Sequence, residues 1–226
     1  MKSLKNLFKF DVLDSTQDKA FELLKIFDEV IVIANRMEKG RGRYGNSWIS
    51  EPGGLYMSIG FKNKTIDFSK KLLIITPICI LDVLKFYQIN AKIKIPNDIY
   101  YENKKICGIL IEMKENEVVL GIGLNVNQSN FPQNLLATSM FLIKKKFFSI
   151  DEIALKIYEN LKVLINYNFD FIISQYNSFI SKEFVEFEYK GKIYKGRILG
   201  VNKNFELILD IGSFDLFYVR NLRSIT

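Results

Sequence analysis

Residues 104–127 read KKICGILIEMKENEVVLGIGLNVN. Two apolar, β-branched runs, 104–113 and 117–127, flank the polar stretch Lys114–Asn116, the pattern of an antiparallel hairpin. A hairpin needs a sheet to join, and the runs upstream supply one. KIKI (92–95) reads as a short strand stopped by Pro96, GLYMSIGF (54–61) alternates like a strand, and EVIVIAN (29–35) is the continuous run of a buried strand. Between them lie helical patterns. Ser15 and Asp18 have capping-box spacing, followed by Ala20, Leu23, Leu24 and Phe27 on one face. Residues 69–87 read as a long core helix with a kink or early break at Pro77. Downstream, Ser149–Ile150–Asp151–Glu152 caps a helix over 149–166, and another covers 170–180. Strands and helices in this order predict an α+β domain with a mixed sheet of about five to seven strands, backed by helices.

After Ser181 the texture changes to short alternating strands, with turns at Lys190–Gly191, Asn202–Asn204 and Ile211–Ser213. The chain therefore divides into a larger domain over 1–181 and a small β-barrel over 182–226. A barrel of that size should dock on the first domain for its stability.

The 226 residues contain 48% apolar and 25% charged side chains, ordinary values for a globular protein. There is no His. A His-bearing triad, a His general base and a His-ligated zinc site are therefore excluded. The two cysteines, Cys79 and Cys107, cannot build a disulfide framework and fit a reducing, cytoplasmic compartment. No segment has the length of apolar sequence needed to cross a bilayer, and the first residues lack a signal-peptide core. The net charge of +7 favours anions, whether nucleotide phosphates, nucleic acid or an acidic protein.

Five segments carry chemistry. Gly40–Arg41–Gly42–Arg43–Tyr44–Gly45–Asn46–Ser47–Trp48 sits in a polar, basic stretch over 36–54. Glycines expose backbone N–H groups, arginines add fork-shaped donors for phosphate or carboxylate, and an indole can stack on a flat ring. Alone, this could equally be an RG-rich nucleic-acid segment or a solvated loop. Lys94–Ile95–Pro96–Asn97–Asp98 puts three polar heads at a strand end, although Pro-Asn-Asp is also a common turn. Lys105 enters an apolar strand, either at an exposed edge or aimed into a pocket. Gly121 and Gly123, in GIGLNVN (121–127), mark either a close approach or a bulge. Asp14–Ser15–Thr16–Gln17 starts a helix, and a helix N-terminus suits an anion or a carbonyl.

Taken in order, DSTQ (14–17), GRGRYGNSW (40–48), GGLYMSI (53–59), KIPNDIY (94–100), KKICGILIE (104–112) and GIGLNVN (121–127) resemble the biotin protein ligase family. The match covers most of residues 12–127, and the barrel sits where that family has its small C-terminal domain. The resemblance implies a catalytic core like that of class II aminoacyl-tRNA synthetases and an SH3-like barrel. It also implies a two-step reaction, in which biotin and ATP give biotinyl-5′-AMP and a lysine of a biotin carboxyl carrier domain then takes the biotin.

By position, the resemblance places Ser15, Thr16 and Gln17 at the biotin head group. Arg41, Gly42 and Arg43 fall in the loop that closes over biotin and adenylate. Lys105 lies near the biotin carboxylate and the α-phosphate, as the main stabiliser of the transition state. Lys94, Asn97 and Asn125 would line the nucleotide side, Trp48 would cover the adenine, and Asp98 would stand near the incoming lysine or Mg²⁺. The metal ligands are not assigned. Two positions depart from the family: Met37 stands where Gln is usual, and Ile95 where Trp is usual. Met37 cannot donate a hydrogen bond, so it either weakens biotin binding or passes that contact to Gln17. The first motif begins at residue 14, so the chain resembles the short, monofunctional class without a DNA-binding domain. Sequence-specific DNA binding is not expected, and exposed sheet edges would allow a homodimer.

Two rivals remain. A lipoate or octanoate ligase or transferase shares the catalytic fold, but its usual RR-x-[ST]-GGG-type segment is missing. A basic nucleic-acid-binding module would spread its cations along an outer face. An enzyme would gather Arg41, Arg43, Lys94 and Lys105 in one cleft.

Overall fold

A computed structural model describes residues 6–95, 97–189, 192–212 and 216–219. Strands β1 (Leu7–Leu13), β2 (Glu29–Met37), β3 (Leu55–Phe61), β4 (Lys92–Lys94), β5 (Asp98–Tyr101), β6 (Lys104–Lys114) and β7 (Glu117–Leu124) form one sheet. Its order is β1-β2-β3-β7-β6-β5-β4. Only β1 and β2 run parallel; every other neighbour is antiparallel. The helices are α1 (Thr16–Leu24), α2 (Ile66–Phe86), α3 (Met140–Lys144), α4 (Ile150–Leu164) and α5 (Phe169–Phe179).

Alternation along the strands divides the sheet into two unlike faces. Ile31 and Ile33 of β2, Met57 and Ile59 of β3, and Leu120 and Ile122 of β7 point one way, into a core shared with α2 and α4. Val30, Val32 and Val119 point the other way, against Ala20, Phe21 and Leu24 of α1. Gly60 permits this second contact, since a Cβ there would come within 3.1 Å of the Leu24 side chain. Helix α1 spans nine residues and packs chiefly on β2, β3 and β7. Among the described residues no helix lies on the same face over β6 and β5, and there Trp48 of the 38–54 loop sits on Gly108 and Gly123.

Several elements differ from the sequence reading. Strand β1 was not expected, although Phe8 and Phe10 alternate with Lys9 and Asp11 as in a half-buried strand; Phe8, Phe10 and Leu13 pack beside α1. Residues 98–101, of which the sequence reading placed only Asp98, in a Pro-Asn-Asp turn, form β5. The five-residue α3 was also missed. Helix α2 starts three residues early, where Thr65 caps the Phe68 N–H, and it runs through Pro77 without a break. A mid-helix proline costs about 3 kcal/mol. Burial of Leu72, Ile75, Ile80 and Leu84 outweighs that cost.

Strands β8 (Phe184–Tyr189), β9 (Lys192–Val201), β10 (Leu207–Asp210) and β11 (Leu216–Val219) form a second, antiparallel sheet in sequential order. Its turn at Asn202–Asn204 is an Asx turn, in which the Asn202 side-chain oxygen accepts from the Asn204 and Glu206 N–H groups. The expected turn at 190–191, and the last residue of the one at 211–213, lie outside the described residues. Ile198, Val201, Leu207 and Leu209 join the core that contains α5's Ile172 and Tyr176. The Asn177 amide donates to the Val201 carbonyl and accepts from its N–H, both at 2.9 Å, which ties the second sheet to α5.

Candidate active site

The uncovered part of the sheet is the floor of a cavity of about 350 Å³. Cross-strand partners share a face in an antiparallel sheet. Ser58 pairs with Gly121, Gly121 with Leu110, Gly123 with Gly108, and Gly108 with Asp98. These residues of β3, β7, β6 and β5 therefore pave one surface. The glycines answer the sequence question in favour of close approach, not a bulge. A Cβ at Gly121 would lie 2.9 Å from Gln17, and Cβ atoms at Gly108 and Gly123 would lie 2.7 and 2.5 Å from Trp48.

At the β2–β3–β7 end stands the start of α1. The Ser15 hydroxyl accepts from the Gln17 and Asp18 N–H groups as the helix cap, so its lone pairs serve the backbone. The Ser58 hydroxyl donates to Thr16 Oγ1 at 2.8 Å. The Thr16 N–H and hydroxyl both donate to Met37 Sδ at 3.4 Å. Gln17 is 5% exposed, and its amide nitrogen has no partner.

At the β6–β5–β4 end stand the cations. Lys105 Nζ pairs with Asp98 Oδ2 at 2.8 Å and lies 5.3 Å from the Trp48 ring centre. Arg43 Nη1 donates to Asn97 Oδ1 at 2.8 Å, and Nη2 donates to the Tyr44 hydroxyl at 2.6 Å. Asn97 in turn donates to the Ile109 carbonyl at 2.7 Å, so Arg43 rests on a fixed partner. Lys94 and Ile95 complete this wall.

The loop bearing Arg41 and Arg43 is a miniature hairpin. Arg41 bridges to Ser47, the Gly42 N–H donates to the Asn46 carbonyl at 2.6 Å, and Tyr44 sits in the left-handed region at φ 56°. Arg41 latches this hairpin at two points. It forks onto both Asp18 oxygens, at 2.6 and 2.9 Å, and reaches Glu112 at 3.0 Å. The Arg41 guanidinium beside Asp18 holds that carboxyl below the usual carboxylate range, and Asp18 and Glu112 push the guanidinium further up. Next to the site, burial drives the Cys107 thiol up, so it is a neutral core group.

Ser15, Thr16, Gln17, Arg41, Gly42, Arg43, Trp48, Lys94, Asn97, Asp98 and Lys105 all line the one cavity. Asn125 does not. It follows the last residue of β7, where its amide donates to the Thr138 carbonyl at 3.0 Å and holds the 126–139 loop. Sequence reasoning passed over Tyr44 and Glu112. Glu112 was visible in the last position of KKICGILIE, but its partner Arg41 lies 71 residues away.

Among the described residues, four buried side-chain polar atoms have no partner, and three belong to this cavity: Gln17 Nε2, Trp48 Nε1 and Asp98 Oδ1. Unpaired buried polar groups are costly, so their concentration here marks a place built for a ligand. No group of three or more Cys, Asp or Glu side chains suited to a metal occurs among the described residues. Asp98 Oδ1 alone suits an ion carried in by phosphates, since magnesium commonly takes only one or two protein carboxylates. No helix among the described residues is long and apolar enough to cross a membrane.

The model of the Biotin/lipoate A/B protein ligase family matches residues 9–129, more than half of the chain. The bifunctional ligase/repressor BirA of Bacillus subtilis (strain 168) is 35% identical over 149 residues, which are 60% of this chain and 46% of that protein. An octanoyltransferase of Wigglesworthia glossinidia brevipalpis is 31% identical over 93 residues, 40% of this chain and 43% of that one. The chain thus spans about half the length of these curated relatives. Among solved structures, the biotin protein ligase from Aquifex aeolicus in complex with biotin and ATP superposes with a TM-score of 0.83 and 27% identity, covering 96% of this chain and 97% of that one.

Proposed function

Because the chain belongs to the Biotin/lipoate A/B protein ligase family, we propose that it is a biotin protein ligase that makes biotinyl-5′-AMP and passes biotin to a carrier-domain lysine. The observation that carries this reading is the gathering of Arg41, Arg43, Lys94 and Lys105 around one glycine-floored cavity. A nucleic-acid module would display those cations outward. The Aquifex aeolicus relative, matched along nearly its whole length, binds both biotin and ATP.

In the first step a biotin carboxylate oxygen attacks the α-phosphorus of ATP, and pyrophosphate leaves. Two anions must meet, so the work is neutralisation and positioning. Lys105 exchanges Asp98 for the carboxylate and α-phosphate, and Arg43, braced by Asn97, takes the remaining charge. Mg²⁺ arriving with ATP would be held by Asp98 and would screen the phosphates. In the second step the acceptor lysine's amine attacks the carbonyl of the mixed anhydride, an amide forms, and AMP leaves. Asp98, freed from Lys105, faces the incoming amine. Trp48 covers the adenine from its seat on the glycines. Lys94 and Asn97 line the nucleotide side, and Asn125 acts behind them by fixing the 126–139 loop.

The acceptor is the biotin carboxyl carrier domain of a carboxylase, and the compartment is the cytoplasm, in keeping with two buried free thiols. Residues 1–181 act as the catalytic domain and 182–226 as a small barrel domain. The test is to incubate the protein with ATP, Mg²⁺ and biotin, or with lipoate or octanoate in parallel, and to weigh the products by mass spectrometry. Biotinyl-AMP is expected. Its absence, with lipoyl- or octanoyl-AMP present, would move the protein to the other branch of the family.

A further inference from the structure

We infer that Gln128 is a positioning residue for the activation step, holding the backbone of Lys105 on one side and the Trp48 loop on the other. The inference rests on the roles proposed above for Lys105 and Trp48, and adds the part that keeps the two in register. Strand β7 ends at Leu124, which pairs with Cys107 of β6. Lys105 lies beyond that end, and residues 136–138 take the place of β7 beside it. The Lys105 N–H donates to the Leu136 carbonyl at 2.8 Å, and the Lys105 carbonyl accepts from the Thr138 N–H at 2.9 Å. The ammonium is therefore placed only as firmly as this segment is.

Gln128 braces the segment from behind. Asn125 donates to the Thr138 carbonyl at 3.0 Å. Gln128 Oε1 accepts from the neighbouring Val126 N–H at 2.8 Å, and Gln128 Nε2 reaches Asn125 Oδ1 at 3.5 Å. The Gln128 carbonyl accepts from the Ser139 hydroxyl at 2.6 Å. The other arm runs to the loop. Gln128 Nε2 donates to the Tyr56 hydroxyl at 3.0 Å, and that hydroxyl donates at 2.6 Å to the carbonyl of Glu51, three residues after Trp48. Tyr56 is also the cross-strand partner of Gly123, the seat of the indole. Gly54 leaves the room, since a Cβ there would lie 2.6 Å from Gln128 Nε2. Gln128 is 8% exposed and Tyr56 is fully buried. Stability alone would be served about as well by apolar side chains of the same shape, because replacing both partners of a buried hydrogen bond can be nearly neutral. What a satisfied buried network adds is a single arrangement, here of Lys105 relative to Trp48.

The test compares wild type, Gln128→Leu, Tyr56→Phe and the double variant in biotin-driven ATP–pyrophosphate exchange, with Trp48 emission and thermal melts alongside. Gln128→Leu keeps the volume and removes both arms; Tyr56→Phe removes the arm to the loop. In Gln128→Leu the kcat should fall about tenfold or more and the KM for ATP should rise about fivefold, since small misplacements of a reacting group are costly, while the KM for biotin stays within about threefold. Tyr56→Phe should raise the KM for ATP and shift the Trp48 emission, with kcat within about threefold of wild type. The double variant should match Gln128→Leu, because residues of one network do not add. A role in stability alone would lower the melting temperature and leave kcat and both KM values, measured well below it, within about twofold of wild type, and that result overturns the inference. A biotin KM that rises in step with the ATP KM marks a site loosened throughout and overturns it too. Should Gln128→Leu fail to fold, Tyr56→Phe decides, and unchanged emission with an unchanged KM for ATP overturns the inference. Wild-type protein that forms no biotinyl-AMP removes the underlying reading, which no result in the variants can do.

Discussion

Lys105 is the side chain on which the chemistry turns. Its only ionic partner among the described residues is Asp98, a group on the same cavity wall, so the ammonium is held at the site. Lys105→Ala should lower the rate of pyrophosphate exchange by at least about 100-fold, the scale of losing one preorganised charge at a transition state. Because the side chain is partly exposed, the melting temperature should change little; wild-type exchange in this variant would take Lys105 out of its role. Asp18 offers a pH test. Arg41 depresses its pKa in the folded protein, so the pairing stabilises the fold above the ordinary carboxylate pKa of about 4 and is lost as pH falls through the depressed value. Thermal melts between pH 6 and 3 should show wild type losing more stability than Asp18→Asn. These residues were legible to different degrees. The cations of GRGR and of KKICGILIE stood out by type, but it was the resemblance to a family that tied them to one site. That Ser15 is consumed as a cap, that Arg41 is latched by Asp18 and Glu112, and that Asn125 faces a loop were not legible, because each depends on a partner that only folding brings near.

At the scale of elements, the site follows from strands that carry glycine where a side chain would block it. Trp48 is the sole tryptophan, so its fluorescence reports on the loop without a label. In Gly123→Ala the new methyl would sit 2.5 Å from the indole, so Trp48 must leave its seat. Its emission should shift to the red, and the KM for ATP should rise about tenfold, the indole being proposed to cover adenine and small misplacements being costly. Unshifted emission would show that the ring can yield in place. The hairpin of β6 and β7 and helices α1, α2, α4 and α5 were readable because their apolar periods are long. Strand β5 was not: it has four residues, and its first, Asp98, belongs to the Pro-Asn-Asp stretch whose turn chemistry dominates the reading. Nor was the survival of α2 past Pro77, where core burial on both sides overrides the lost hydrogen bond.

The whole molecule joins two sheets through α5. The twin hydrogen bonds from Asn177 to Val201 are the polar part of that joint, and Gly200 permits them, since a Cβ there would lie 2.8 Å from the Asn177 amide. Asn177→Ala should lower stability by about 1–3 kcal/mol, because it leaves the Val201 N–H and carbonyl unpaired at a half-buried place. Limited proteolysis should then cut sooner in the segment around residues 180–184, which is checked by mass analysis of the fragments. Sequence reading anticipated the mixed sheet backed by helices and the run of short strands after it. It could not give the strand order, in which β3 lies beside β7, since that pairing joins distant parts of the chain and leaves no local mark.

The half-roofed sheet has a metric consequence. Gly121 on β7 and Asp98 on β5 are separated by one intervening strand and two residues of register, so the backbone span beneath the two ends of the cavity is fixed by the sheet lattice at roughly 12 Å. A rigid, hydrogen-bonded lattice cannot stretch to suit a guest. Side-chain changes can redecorate either terminus, but the permitted span between a recognised head and an activated tail is fixed by the backbone ruler beneath it.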